Sequence, residues 1–133
     1  MYLIGGWSST ALDTVFMLDL SQEEPQNWNE LKKLSQPLFS SCAINWEGEI
    51  IITGGATMVP DSDNQGTEEL KNVEVYNAEH ENKNLPPMNF ARRQHGCSNV
   101  EFTSGEKGKI KIFSNIVCPN SLLKLLLARG KSF

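Results

Sequence analysis

Apolar positions in this chain come in short, β-branched runs that end on glycine or on polar turns. Glu49-Ile50-Ile51-Ile52-Thr53 stops on Gly54-Gly55, and Tyr2-Leu3-Ile4 stops on Gly5-Gly6. A later run, Lys109-Ile110-Lys111-Ile112-Phe113, stops on Ser114-Asn115. β-Branched side chains pack on a pleated surface, and glycine lets the backbone leave it at dihedrals other residues avoid. Each run therefore predicts a strand that ends at the pair. The two intact glycine pairs lie 49 residues apart, from 5 to 54, a spacing typical of repeated small sheets.

Between the glycine pairs, Trp7 to Asp13 reads as a polar loop and Thr14 to Asp19 as a second strand. Ser21 to Asn27 breaks it, and Trp28-Asn29-Glu30-Leu31 predicts a third. After a link containing Pro37, Ser41 to Asn45 and Glu49 to Thr53 predict a hairpin turning at Trp46-Glu47-Gly48, where the glycine supplies the positive φ. The order then restarts: a long polar loop over 56–72, an alternating strand over Asn72 to Asn77, Leu85 near the place of Trp28, and a Pro86-Pro87-Met88 link. Gly96 to Phe102 should pair with Lys109 to Phe113 across a turn at Thr103 to Gly108. The pattern predicts about nine short strands and no helix before residue 115, an all-β repeat.

Taken in order, these residues resemble the kelch repeat. The shared features are an apolar run ending in Gly-Gly, an aromatic in the next strand (Phe16, Tyr76), Trp28 or its weaker counterpart Leu85, and Arg92-Arg93-Gln94-His95 before the next hairpin. The resemblance covers about residues 1–115. It implies about two four-stranded blades plus a partial third of a kelch-type β-propeller, an incomplete ring, in units of about 1–45, 46–100 and 101–115. Gly5, Gly6, Gly54, Gly55, Phe16, Trp28, Tyr76, Arg92 and His95 are its structural residues. The aromatics are expected in the core, and Arg92 and His95 in backbone or inter-blade contacts.

The chain departs from the repeat at its ends. The first unit opens inside the glycine-ending strand, with no preceding hairpin partner. The third pair has become Ser114-Asn115, and residues 116–133 form a divergent, basic tail with Leu122, Leu123, Leu125, Leu126 and Leu127. Truncation or alternative splicing would explain such a tail as well as a cap over an open blade. Because stacked units cover one another's faces, about two units leave outer faces bare. The expectation is a piece of a larger propeller, or copies that associate to complete one.

Composition narrows the function. The chain has 133 residues, 39% hydrophobic and 21% charged, as a folded domain has. The net charge of −4 is split. Residues 1–104 carry 6 Lys and Arg against 15 Asp and Glu, whereas residues 105–133 carry 6 against Glu106 alone. An acidic body argues against nucleic acid. No run is long enough to span a bilayer, and no basic leader opens the chain, so a cytoplasmic setting is expected. Cys42, Cys97 and Cys118 have no CxxC spacing and read as small apolar strand residues, not as a disulfide framework or zinc site.

No catalytic constellation, phosphate loop or copper ligand set is assembled, and neither a catalytic residue nor a cofactor is expected. Asp61-Ser62-Asp63-Asn64-Gln65-Gly66 imitates the start of a calcium loop, but its twelfth position is Asn72 where calcium needs a bidentate acid. The 56–72 loop reads better as an interaction surface, its Asp61, Asp63, Glu68 and Glu69 against Lys71. In kelch propellers such loops line one face and bind partners, so the resemblance implies a non-catalytic protein-binding module whose partner bears a basic patch. The family's usual roles are substrate receptor of a cullin-type ubiquitin ligase and actin-associated scaffold. Two alternatives are a kelch-like oxidase or sugar-processing enzyme, and a structural fragment without activity of its own.

Overall fold

The computed structural model describes residues 1–21, 27–59, 66–100 and 109–113, with the side chains of 99, 100 and 109–113 left aside. Among the described residues the chain is all-β, without helix, built from several antiparallel sheets none of which closes into a barrel. The first sheet has the order β1 (Tyr2–Ile4), β4 (Val15–Met17), β5 (Asn29–Glu30). The hairpin of β2 (Trp7–Ser8) and β3 (Thr10–Ala11) is inserted after β1. The second sheet runs β6 (Cys42–Trp46), β7 (Glu49–Thr53), β10 (Val73–Tyr76), β11 (Lys83–Leu85) across its width. Its own inserted hairpin, β8 (Ala56–Met58) with β9 (Thr67–Glu69), follows β7. A third pair, β12 (Gly96–Val100) with β13 (Lys109–Phe113), completes the described chain.

The hairpin predicted from the glycine-ending run forms, and its turn is tighter than expected. Trp46 pairs with Glu49, leaving only Glu47 and Gly48 in the turn, at φ 51° and 88°. Two successive positive φ values match the right-handed twist of the strands they join. Both stretches expected to be plain loop, 7–13 and part of 56–72, instead form the inserted hairpins, each folding back to pair with itself. The first manages this through Ser9 in the left-handed region, at φ 58°.

Backbone hydrogen bonds show that the first two sheets are one design used twice. Gly5 donates to Thr14 and Gly54 to Asn72; Gly6 donates to Leu38 and Gly55 to Arg92. Leu12 donates to Gly6 and Leu70 to Gly55; Leu34 donates to Asp13 and Met88 to Lys71. Position 5 thus corresponds to 54, 12 to 70, and 38 to 92. The same close approach recurs at the leading glycine. A Cβ on Gly5 would lie 2.5 Å from the Leu38 carbonyl oxygen, and one on Gly54 2.5 Å from that of Arg92, at φ +57° and +56°. Only glycine fits a left-handed position beneath a carbonyl.

This correspondence corrects the alignment of the aromatics. Leu3 pairs with Phe16 and Ile52 with Glu74, so Phe16 corresponds to Glu74; Tyr76, which pairs with Ile50, corresponds to Leu18. Phe16 pairs with Glu30 and Glu74 with Asn84, so Leu85 corresponds to Leu31, and Trp28 to Asn82. Trp28 is not in the core: it is 44% exposed, and Phe16 is only half buried. Tyr76 is buried as expected. The unit boundaries also move. β6 and β7 share a sheet, so the natural divisions fall before Cys42 and before Gly96, whereas a boundary at 45/46 would cut a hairpin. The turn at Thr103 to Gly108, Cys118 and the tail at 116–133 lie outside the described residues.

Opposed residues on paired strands share a sheet face, which explains where the core sits. The first sheet presents Ile4, Val15 and Leu31 on one face; the second presents Ile50, Ile52 and Tyr76 on the face turned toward it. With Leu34, Leu38 and Leu70 these make one apolar cluster. The core is therefore the joint between two sheets.

Candidate functional site

Two places gather chemistry. The first is the joint between the second sheet and β12. Thr53 ends β7 just before the glycine pair, and His95 precedes β12. The His95 ring lies over Gly54, and a Cβ there would stand 2.8 Å from its Cε1. The imidazole Nε2 and the Thr53 hydroxyl form a 2.8 Å hydrogen bond. His95 Nδ1 is buried with no hydrogen-bond partner among the described residues, as is Arg92 Nε. Burial, and then the charge of Arg92, lower the His95 pKa below its ordinary value, since both disfavour a second proton on the ring.

Beside this pair, Cys42 and Cys97 form a disulfide with a Cα separation of 6.0 Å. This overturns the reading of these cysteines as plain apolar strand residues. Cys42 opposes Thr53 and shares its face; Cys97, one residue into β12, occupies the position equivalent to Ala43 on the opposite face of its own sheet. Consecutive sheets turn those two faces toward each other, so the sulfurs meet. Arg92 contributes its carbonyl to Gly55. These groups join units; among the described residues no group of three or more His, Cys, Asp or Glu side chains is placed to hold a metal ion.

A polar seam runs along the other joint. The Tyr76 hydroxyl donates to the Lys32 carbonyl at 2.6 Å, and burial raises the pKa of the phenol. Glu74, buried despite its charge, accepts hydrogen bonds from the Ser35 amide and hydroxyl and from Asn82 Nδ2. A buried carboxylate is tolerable when donors surround it. Nothing in the sequence marked Glu74, because its partners Ser35 and Asn82 lie 39 and 8 residues away.

The second place is the side of the molecule formed by the inserted hairpins. β3 lies beside β8, and Phe39 bridges to Ala56 through two backbone hydrogen bonds of 2.9 Å. Trp7, 48% exposed, meets the Phe39 ring edge to face, with centroids 4.9 Å apart. Glu68 and Glu69 are exposed on β9, and Glu69 forms an ion pair with Arg93 at 3.4 Å. Asp61 and Asp63 lie outside the described residues. The result is an aromatic edge beside an acidic hairpin, and the sequence alone had marked only the acids. Trp7 escaped because a polar, serine-rich neighbourhood hides the strand that presents it.

No family model matches this chain, and no curated protein matches it. Among solved structures, one titled "Structure of YjhT" is similar in fold, with a TM-score of 0.61 at 17% sequence identity. The match covers 86% of this chain and 38% of that one, so this chain spans well under half the length of the protein it resembles. At that identity the likeness is one of all-β fold.

Proposed function

We propose that this chain is part of a kelch-type β-propeller and works as a non-catalytic protein-binding module. The observation that carries the reading is the exposed Trp7 edge beside the acidic β8–β9 hairpin, both on hairpins inserted at equivalent positions after the glycine pairs. An aromatic that stays half exposed next to acids offers apolar area and charge to one partner, and aromatic residues are common anchors of such contacts. The partner's matching surface is basic. The repeated sheet, its glycine turns and its face-to-face stacking support the propeller reading, and the fold likeness is compatible with it.

Pull-down with the wild-type chain and with a variant carrying Ser at Asp61, Asp63, Glu68 and Glu69 tests the surface, with Trp7→Ala as a second arm. Partners retained at wild-type yield by both variants would remove this face from consideration. Any setting matters for the state compared: the Cys42–Cys97 bond persists in oxidising compartments, whereas in the cytoplasm the pair would be reduced. The assay is therefore run on both forms.

A further inference from the structure

The internal repeat shows that each unit fastens the link after its last strand in a different way. Leu38 corresponds to Arg92, Phe39 to Arg93, and Ser40 to Gln94, both of which are left-handed, at φ 55° and 53°. The backbone ties are the same in both units. Gly6 donates to Leu38 and Leu38 to Leu12, as Gly55 donates to Arg92 and Arg92 to Leu70. The side chains differ. Leu38 is 2% exposed in the apolar cluster, and Phe39 packs on Trp7. Arg92 instead has a buried Nε with no hydrogen-bond partner among the described residues, and Arg93 makes an ion pair with Glu69 of β9 at 3.4 Å. A buried donor without a partner costs stability, and an exposed ion pair returns little of it. What fastens the second link is covalent: Cys97 stands where the first unit has Ala43 and is bonded to Cys42, with His95 held on Thr53 beside it.

We infer that the Cys42–Cys97 bond is a redox latch on the acidic hairpin. While the bond stands, residues 92–97 are pinned to β6, and Arg93 is held against Glu69. Both cysteines are only half buried, so a dithiol reaches them. Its thiolate attacks one sulfur to give a mixed disulfide, and its second thiol then closes the reductant's own disulfide. Cys42 and Cys97 are left as two thiols, having gained two electrons and two protons together. The link keeps its backbone bonds and the His95 contact but loses its anchor. Arg93 leaves Glu69, and β9 offers a carboxylate that no cation of its own chain offsets. The reduced chain is therefore the better binder of a basic partner. This last step rests on the acidic hairpin being the partner surface, whereas the fastening of residues 92–97 does not.

Amide hydrogen exchange on the full chain, oxidised and then reduced with dithiothreitol, reads the latch, and the repeat supplies matched controls. Exchange at Gly55, Arg92 and Gln94 should quicken about tenfold or more on reduction, while Gly6 and Leu38, which make the corresponding bonds in the first unit, change little. Calorimetric titration with a short oligolysine peptide reads the surface, and reduction should tighten its binding about two- to fivefold. Arg93→Gln in the oxidised chain should reach the same affinity with the latch intact, so this arm holds even where reduction unfolds the chain. Lys83→Gln, the same charge change on β11, should not. Glu69→Gln should abolish the difference between the oxidised and reduced forms. Exchange that quickens equally at Gly6 and Gly55, or an oligolysine affinity unmoved by both reduction and Arg93→Gln, would overturn the proposal. Should the peptide respond as expected while pull-down partners ignore the acids, the partner-surface reading fails and the latch stands.

Discussion

At the scale of single residues, the glycine pairs and His95 show how little freedom the turns between strands leave. Gly54 stands at φ +56° with the Arg92 carbonyl, the His95 ring and Met88 Cε all within 3.0 Å of where a Cβ would be. Gly48 has a positive φ but open space around it. Gly54→Ala should therefore cost about 3 kcal/mol or more, adding a backbone clash to the left-handed penalty, whereas Gly48→Ala should cost about 1 kcal/mol. Urea unfolding midpoints of the two variants compare them directly. His95 gives a signed pH dependence. Its pKa in the folded chain is lowered, so on acidification the unfolded chain takes the proton first, near its ordinary value of 6.5. Stability should then fall as pH drops through about 6.5 and level off once the folded imidazole also titrates. His95→Gln, which keeps a side-chain partner for Thr53, should flatten that part of the curve in melts recorded across pH.

Between elements, the disulfide and the polar seam hold neighbouring units at their joints. Cys42 and Cys97 are 55 residues apart in sequence. Closing a loop of that size in the unfolded chain is worth about 4 kcal/mol on the chain-entropy model. Reduction, or Cys97→Ser, should lower stability by about that amount and speed amide exchange in β12 and β13 more than in β6 and β7. Tyr76→Phe should cost about 1 kcal/mol by leaving the Lys32 carbonyl without its buried donor. The strands themselves were legible, because β-branched runs ending at glycine have one low-energy use. The joints were not. Whether Cys42 meets Cys97 depends on which face each residue occupies and on which faces are stacked, and neither is written in sequence spacing. Aligning Phe16 with Tyr76 and Trp28 with Leu85 by order alone failed for the same reason. Loops of unequal length shift the register, so equivalence follows hydrogen bonds instead of residue type.

For the whole molecule, stacking predicts an order of unfolding. The second sheet is flanked on both faces, by the first sheet through Ile52 and Tyr76 and by β12 through Thr53 and the disulfide. Among the described residues the first sheet is flanked on one face, and Leu3 on the other is 56% exposed. In a stacked array each interface adds its own stabilisation to the units it joins. Native-state hydrogen exchange on dilute protein should therefore show β1, β4 and β5 opening first and the β7–β10 ladder last. Val15, fully buried at the first joint, tests the coupling. Val15→Ala should cost about 2 kcal/mol and bring forward the opening of β10 as well as of β4, because the joint belongs to both sheets. If instead exchange in β10 stayed as slow as in the wild type while β4 opened, the two units would be energetically independent.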